Sequence, residues 1–269
     1  MSAEKLESAE IAIIGGTGVY DPNLFKDTVE VKVHTPYGPT SPFLSVGNFE
    51  GRKVAFIPRH GKDHSIPPHM VNYRANIHAL KQLGVERIFS ISSVGSLKEE
   101  VRPRDFAVPD QFIDRTRKRM DTFFDGPKVA HVSSADPFCP ELRKMLIDNA
   151  PKYGVRVHGS ATYVCIEGPR FSSRAESKLF RQWGADIVGM TLYPECILAR
   201  EAEICYATLA MVTDYDVWAS KPVSASEVSE VMRENVANSR KIIVDAISKL
   251  PRQRGELCTC KSALEGATL

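Results

Sequence analysis

Short apolar runs that alternate with helical stretches most constrain what this 269-residue chain can fold into. Five runs have the length of buried strands and lie at residues 11–14, 54–57, 87–91, 186–190 and 207–212. Helices are predicted at residues 71–83, 140–153, 173–184, 194–204 and 228–247. Ser173 with Glu176, and Ser224 with Glu227, have the spacing of a capping box. This alternation predicts an α/β fold in which helices cover a central sheet.

The composition is typical of a globular protein, with 43% hydrophobic and 25% charged residues. No linker divides the chain, so we predict one domain over residues 1–269, with residues 1–9 and about 253–269 as flexible or loosely packed tails. The charged start lacks the apolar segment of a signal peptide, and no apolar run reaches the ~18 residues of a membrane span. We therefore predict a cytoplasmic protein, and a net charge of +2 gives no indication of nucleic-acid binding.

Polar and glycine-rich segments follow several predicted strands, where α/β sheets bind ligands. After the first strand, Gly15-Gly16-Thr17-Gly18 offers backbone N–H groups and a hydroxyl that suit an anion, with a plain tight turn as the alternative. It matches neither the dinucleotide-binding glycine pattern nor a P-loop. Ser92-Ser93-Val94-Gly95-Ser96 and Thr191 supply further hydroxyls after strands. The recurrence predicts a phosphate-binding cradle.

Arg59-His60-Gly61 supplies the cation that such a cradle needs. Arginine binds phosphate through two N–H groups at once. His60, His64 and His69 are close in sequence, but two prolines precede His69 and break any helix that would present them as metal ligands. We therefore predict a loop that contacts a ligand and holds no metal.

Two acidic residues follow the strand at 207–212, in Thr213-Asp214-Tyr215-Asp216. On an extended segment, a spacing of two places both carboxylates on one face. Two close acids push one pKa upward, so one can donate a hydrogen bond while the other accepts one. Adenine presents an acceptor at N7 and a donor at N6. The pair therefore fits adenine, and a simple acidic turn is the alternative.

Two further segments allow more than one interpretation. Phe171, in the segment 167–172, could stack on a flat base or could be a core residue beside a helix start. The basic run 115–119 lacks interleaved aromatic residues, so we predict a solvated loop or a subunit edge rather than a nucleic-acid site.

Six cysteines occur, at positions 139, 165, 196, 205, 258 and 260. The first four are predicted to be buried thiols. Cys258-Thr259-Cys260 lies in a polar tail, where a redox pair or a disulfide is the alternative to free thiols. Zinc needs about four ligands, and no second cysteine pair has a suitable spacing, so no zinc site is predicted.

Together these segments resemble the trimeric purine nucleoside phosphorylase family, in particular its members that act on 5′-methylthioadenosine. The resemblance covers about residues 10–250, and its markers are residues 14–18, 59–61, 72–76, 94–97, 110–114, 166–176, 190–195 and 210–216. It implies a single-domain nucleoside phosphorylase fold, with a central mixed sheet flanked by helices. It also implies a glycosyltransferase that uses inorganic phosphate as co-substrate and needs no cofactor.

The resemblance implies roles for individual residues. Phosphate would be held by Thr17, Arg59, His60, Ser92, Ser93 and Thr191. The nucleoside would be bound by Phe171, Ser172, Met190, Thr213, Asp214, Asp216, Ala225 and Val228, with His131 reaching the site of a neighbouring subunit. Asp214 would be the general acid at N7, and Asp216 would orient N6. Ser92-Ser93 stands where many relatives have Thr-Ala, which keeps the first hydroxyl.

The resemblance also implies an assembly and covalent links. The minimum working unit would be a homotrimer, and archaeal-type relatives often pair trimers into hexamers. Cys258 and Cys260 resemble a tail pair that forms a disulfide in thermophilic archaeal members, and Cys139 with Cys205 is a second candidate pair.

The implied reaction is phosphorolysis of 5′-methylthioadenosine to adenine and 5-methylthioribose 1-phosphate. Relatives that prefer 6-oxopurines carry Asn where Asp214 stands and a histidine on the last helix, whereas no histidine follows His158 here. Near that position, Ala225 and Val228 would form a small apolar pocket for the methylthio group. The alternatives are a purine nucleoside phosphorylase acting on adenosine, inosine or guanosine, a hydrolytic nucleosidase, and a non-catalytic nucleotide- or RNA-binding protein.

Overall fold

The computed structural model describes residues 7–16, 25–219 and 225–268, without the side chains of residues 225–229. Eleven strands in this part of the chain form one sheet. In chain order, strands β1 to β11 are Ile11–Gly15, Lys26–Glu30, Ser45–Phe49, Arg52–Pro58, Arg87–Ser96, Phe106–Ala107, Gln111–Arg115, Val157–His158, Thr162–Ile166, Ile187–Gly189 and Cys205–Asp214. Helices α1 to α5 are Tyr73–Gln82, Pro140–Asn149, Arg174–Gln182, Leu192–Glu201 and Ala225–Lys249.

Strand β5 lies at the centre of the sheet. It pairs in parallel with β1 on one edge and with β11 on the other, and β1 pairs in parallel with β4. The carboxyl ends of β4, β1, β5 and β11 therefore meet at one edge of the sheet. The last residues of β5 pair antiparallel with β10, where Ser96 lies opposite Ile187. The sheet is thus mixed, as the family resemblance implied.

Helices cover both faces of the sheet because its central strands are apolar on both sides. Successive residues of β1 point to opposite faces, so Ile14 packs in the cluster that contains Leu80 of α1, and Ile13 in the cluster that contains Ile243 of α5. Burying each such side chain contributes about 1.5–3 kcal/mol to folding. Even α5, the longest described helix at 25 residues, is amphipathic, and no helix in the described ranges is both long and apolar enough to cross a membrane.

Most predicted helix boundaries agree with the structure, and the differences have local causes. The capping box is present in α3, where the Ser173 hydroxyl accepts from the backbone N–H of Glu176. The helix predicted at 140–153 ends earlier, at Asn149, and continues as a 3-10 turn, because Pro151 has no N–H to donate to the preceding turn. Ser224 lies outside the described residues, so the second predicted capping box does not enter the structural account.

The C-terminal segment packs on the domain, in contrast to the loosely packed tail that the sequence suggested for residues 253–269. Only 5% of Cys258 and 4% of Cys260 is exposed. Their Sγ atoms and those of Cys139 and Cys205 all lie within 4.8 Å of one another. Within the described residues these cysteines are free thiols. The tail looked unpacked because it has few aliphatic residues, but its cysteines are the side chains that anchor it.

Candidate active site

A cavity of about 420 Å³ lies where the carboxyl ends of β4, β1, β5 and β11 meet. The sequence-predicted site residues that line it are Arg59, His60, Ser92, Ser93, Phe171, Ser172, Met190, Thr191, Thr213, Asp214 and Asp216. Gly16 borders the cavity after β1, and Met232 of α5 completes one wall. The fold therefore brings segments that are up to 216 residues apart in sequence, from Gly16 to Met232, around one space, as expected for an α/β sheet.

Four predicted site residues are not among the described residues that line this cavity. Thr17 lies outside the described residues. Ala225 and Val228 belong to α5, the helix that carries Met232, but their side chains are not described. His131 is exposed, and its backbone N–H donates to the carbonyl of Ala267. A role for His131 would therefore need a neighbouring subunit.

Arg59 is buried beside the cavity, with 1% of its side chain exposed. Its Nε and Nη2 each donate to one carboxylate oxygen of Glu195 at 2.7 Å. Nη2 also donates to Ser90 Oγ at 2.8 Å, and Nη1 donates to the Ile91 carbonyl at 3.2 Å. Four of its five N–H groups are thus used among the described residues. The two-point grip on phosphate that the sequence suggested is not available in this arrangement, since one N–H remains.

The charge of Arg59 is fixed by the same contacts. Burial alone would lower the pKa of Arg59, but the charge of Glu195 and its hydrogen bonds raise it above the usual value. The guanidinium and the carboxylate together carry no net charge. A ligand in the cavity can therefore accept from the rigidly oriented N–H of Arg59. The pair of Arg59 and Glu195 adds no net charge to the site.

His60 is neutral at physiological pH. Burial lowers the pKa of His60 to about 4, and the positive charge of Arg59 acts in the same direction. The Nδ1 atom lies 2.8 Å from the carbonyl oxygen of Ile66, and a carbonyl only accepts, so Nδ1 carries the proton. Nε2 is then left as an acceptor. Such a ring can accept a hydrogen from a monoprotonated phosphate but adds no positive charge.

Hydroxyl groups form another side of the cavity. Ser92 and Thr191 are each 6% exposed, and the Ser92 hydroxyl has no partner among the described residues, which is unusual for a buried group without a ligand. Thr191 precedes α4, whose backbone is interrupted at Tyr193, and its side chain makes no capping bond, so the hydroxyl is available to a ligand. Ser92 and Ser93 lie inside β5 and not after it, because pairing with β11 continues to Gly95.

The two acidic residues are brought together by a turn and not by an extended segment as the sequence suggested. Strand β11 ends at Asp214, and Asp216 starts a 3-10 turn with a φ of 51°. The backbone N–H of Asp216 donates to Asp214 Oδ1 at 2.8 Å. Gly95 makes room for this turn, since a Cβ there would lie 2.9 Å from Asp214 Oδ1 and 3.3 Å from the Asp216 Cβ.

The two carboxyl groups differ in what holds them. Burial raises the pKa of both Asp214 and Asp216, and the charge of Asp214 raises that of Asp216 further. Asp214 Oδ2 accepts from the Thr213 hydroxyl at 2.8 Å. Asp216 Oδ2 is buried and accepts no hydrogen bond of normal geometry in the described part of the chain, although the nearby Ser177 hydroxyl lowers the pKa of this carboxyl. One acid is therefore oriented by the protein, and the other has an acceptor position open to a ligand.

A loop after β9 carries Phe171 and Ser172 to the cavity. Phe171 is 46% exposed, so the alternative of a core residue is wrong for it. Ser172 is buried, and its hydroxyl has no partner among the described residues. Met190 approaches this loop so closely that a Cβ on Gly168, which has a φ of 69°, would lie 2.6 Å from the Met190 sulfur.

Arg119 holds this loop in place, although the basic run 115–119 was expected to be a solvated loop or a subunit edge. Its side chain is 2% exposed. Nε donates to Glu167 Oε1 at 3.1 Å, Nη2 to the carbonyl of Glu167 at 2.9 Å, and Nη1 to the carbonyl of Tyr193. The prediction failed for Arg119 because a run of charges gives no sign that one member has buried acceptors within reach.

Glu195 is the site residue that the sequence analysis missed. It lies on α4 among buried apolar side chains such as Leu192, Cys196 and Leu198. A carboxylate at a buried position of an apolar helix needs a cation or several donors. A glutamate within an apolar helix was therefore the signal in the sequence for a buried ionic contact. The sequence alone does not show that its partner is Arg59.

Known proteins are similar to this chain over nearly its whole length. Residues 10–248 match the model of the phosphorylase superfamily. The chain is 58% identical over 264 residues to an S-methyl-5′-thioadenosine phosphorylase of Thermofilum pendens, covering 98% of this chain and 100% of that protein. It is 54% identical over 261 residues to a protein of the same name from Nitrosopumilus maritimus, covering 97% and 98%.

Solved structures give the same result. A methylthioadenosine phosphorylase from an antarctic soil metagenomic library has a TM-score of 0.91 at 46% identity, covering 98% of this chain and 93% of that one. The methylthioadenosine phosphorylase from Schistosoma mansoni in complex with adenine has a TM-score of 0.90 at 37% identity, covering 97% and 99%. With nearly the whole length matched in both sequence and fold, this chain belongs to the phosphorylase superfamily.

Proposed function

We propose that this chain catalyses phosphorolysis of 5′-methylthioadenosine to adenine and 5-methylthioribose 1-phosphate. The observation that carries the proposal is one cavity lined both by donors suited to phosphate and by two carboxyl groups with raised pKa values. Relatives that match nearly the full length are named for this activity. Phosphate itself is the nucleophile in this reaction, so the proposed chemistry needs neither a metal nor an organic cofactor.

Phosphate would bind next to the remaining N–H of Arg59 and the hydroxyls of Ser92, Ser93 and Thr191, with Thr17 as a further donor. The neutral ring of His60 would accept a phosphate hydrogen. Holding phosphate beneath C1′ replaces a bimolecular encounter with an oriented one. Because the pair of Arg59 and Glu195 is neutral overall, bound phosphate keeps negative charge to stabilise the oxocarbenium-like sugar of the transition state.

The acidic pair would act on the adenine. Burial raises the pKa of Asp214, which favours donation of a proton to N7 as the C1′–N9 bond breaks and so avoids a purine anion. The open acceptor of Asp216 would take a hydrogen from the N6 amine. A 6-oxopurine presents an acceptor at that place, and a carboxylate repels it. Phe171 would stack on the base from the mouth of the cavity, and Met190 would lie against the ribose.

The 5′ end of the nucleoside would meet α5. Met232 already lines the cavity from this helix, and positions 228 and 225 precede it by four and seven residues, spacings that share one helical face. Ala225 and Val228 would there form an apolar pocket for the methylthio group. Apolar contacts of this size discriminate by only ~1–3 kcal/mol, so adenosine would be a slower substrate rather than an excluded one.

We further propose a cytoplasmic homo-oligomer, either a trimer or a pair of trimers, in which His131 reaches a neighbouring site. It is exposed and is not among the described residues that line the cavity of its own chain, which fits that role. We also propose that the four-cysteine cluster is oxidised to two disulfides, Cys258 with Cys260 and Cys139 with Cys205, since all four sulfur atoms lie within 4.8 Å of one another. The competing pairing is Cys205 with Cys258, whose sulfur atoms lie 3.3 Å apart.

The function is tested by incubating the protein with methylthioadenosine, adenosine and inosine, each with and without phosphate, and measuring free base. The proposal predicts rapid phosphate-dependent release of adenine from methylthioadenosine, slower release from adenosine, and little hypoxanthine from inosine. Base release that is equal without phosphate would identify a nucleosidase. Salt-dependent RNA binding without turnover would identify a binding protein.

A further inference from the structure

We infer that Glu195 is a positioning residue for phosphate, acting through Arg59. The inference rests on the proposed function, since it assigns a role in the binding of that co-substrate. Glu195 is fully buried, and its carboxylate receives both Nε and Nη2 of Arg59 at 2.7 Å. This two-point contact fixes the plane of the guanidinium and therefore the direction of the N–H that remains free.

The carboxylate is itself held by two hydroxyl groups. Ser90 Oγ donates to Glu195 Oε1 at 2.9 Å, and the Tyr206 hydroxyl donates to the same oxygen at 2.8 Å. The Thr208 hydroxyl donates in turn to that of Tyr206 at 3.2 Å. Glu195 therefore cannot rotate without breaking several buried hydrogen bonds, and the orientation that it imposes on Arg59 is rigid.

The position of Glu195 in the fold links it to phosphate and not only to stability. Its partner Ser90 is two residues before Ser92 in β5, and Tyr206 is in β11, the strand that ends in Asp214. Glu195 lies on α4, whose N-terminus presents Thr191 to the same cavity. The Glu195 carboxylate is thus connected to the segments that supply Arg59, Ser92, Thr191 and Asp214.

The test is the isosteric substitution Glu195→Gln. The amide NH2 group of the glutamine would face a guanidinium N–H of Arg59. Because both groups are donors, Arg59 must turn away from its present orientation. We expect the KM for phosphate to rise about ten-fold or more, while the KM for the nucleoside at saturating phosphate changes by less than about two-fold. Glu195→Asp keeps the charge but withdraws the carboxylate by one methylene, and a comparable rise in the phosphate KM is expected.

Glu201→Gln is the matched control. Glu201 lies on the same helix and is 6% exposed, and it accepts from the Thr122 hydroxyl and the Phe123 backbone N–H, away from the cavity. Its loss should lower the melting temperature but leave the phosphate KM unchanged. A general loss of order in α4 would instead move both variants alike.

Several results would overturn the inference: a wild-type or lower phosphate KM in Glu195→Gln, a normal value in Glu195→Asp, or an equal rise in both KM values. If both variants fail to fold, Tyr206→Phe removes one donor to the carboxylate and should raise the phosphate KM about two- to five-fold. An unchanged phosphate KM in Tyr206→Phe would also contradict the inference. Calorimetric titration of the wild type and the variants with inorganic phosphate alone separates this result from the proposed function, because it needs no turnover.

Discussion

At the scale of single residues, the two members of the acidic pair differ in the contacts that hold them. Asp214 is held by the Thr213 hydroxyl and by the backbone N–H of Asp216, so its orientation is set before any ligand arrives. Asp216 keeps a buried acceptor without a partner among the described residues. An oriented acid next to an open acceptor is the arrangement that the N7 and N6 edge of adenine requires.

The first prediction concerns the substitution Asp214→Asn. An amide cannot act as the acid at N7, so kcat with methylthioadenosine should fall by ~10²–10⁴-fold. The amide can donate to a 6-oxo group, so the ratio of kcat/KM values for inosine and adenosine should rise. Asp148→Asn, at an exposed position of α2, should change neither quantity. If Asp214→Asn leaves the base preference untouched, the role assigned to Asp214 is wrong.

The second prediction follows from the pKa of His60, which burial lowers to about 4 from the ordinary 6.5. As the pH falls below 6.5, the unfolded chain takes up this proton before the folded protein does, so the free energy of unfolding falls. Between pH 7 and pH 5 the loss from this group amounts to roughly 2 kcal/mol. Urea unfolding at both values should show a smaller loss in His60→Asn than in the wild type. The exposed-site variant His34→Asn should behave as the wild type does. Equal pH dependence in all three proteins would contradict a buried neutral His60.

At the scale of elements, the sequence predicted the helices and the strands β1, β4, β5, β10 and β11, but it missed strands such as β2, β3 and β7 and gave little of the contacts between elements. Strand β5 continues five residues past the apolar run at 87–91, because its polar second half is stabilised by pairing with β11 and not by hydrophobicity. The acidic pair was predicted from its residue types. The turn that carries Asp214 and Asp216 depends on the space left by the missing side chain of Gly95, which the sequence pattern does not show. Partners such as Arg59 and Glu195 are 136 residues apart, and no local pattern joins them.

The third prediction belongs to the loop that Arg119 holds. Arg119→Lys retains the charge but loses the planar set of donors to Glu167 and the neighbouring carbonyls. The loop that carries Phe171 should become less ordered, so the nucleoside KM should rise about ten-fold while the phosphate KM stays near its wild-type value. Arg117→Lys is the control, since that side chain is exposed and only its backbone N–H reaches Glu167. An increase confined to the phosphate KM would contradict this account of Arg119.

At the scale of the whole molecule, the C-terminal segment is part of the domain. It returns to the sheet through Cys258 and Cys260, and Thr268 pairs with Ala130. The bridge lies directly before His131, whose proposed role is in a neighbouring subunit. The packing of the last residues therefore bears on the surface that an oligomer would use.

The fourth prediction concerns the oxidation state of this segment. If Cys258 with Cys260 and Cys139 with Cys205 form disulfides, the denatured, unreduced protein should contain two titratable thiols, Cys165 and Cys196. Reduction should raise the count to six and lower the melting temperature, since each cross-link typically stabilises by ~2–4 kcal/mol. Peptide mapping identifies the pairs. Six thiols together with one equivalent of zinc would instead identify the cluster as a metal site.

The central claim is that phosphate, not water, cleaves a methylthio-substituted adenine nucleoside in this cavity. Phosphorus NMR of the wild-type protein with methylthioadenosine and inorganic phosphate tests it most directly. The account predicts that the phosphate signal is replaced by that of a sugar 1-phosphate in equal amount to the adenine released. Adenine released with the phosphate signal unchanged, or no adenine at all, would contradict it.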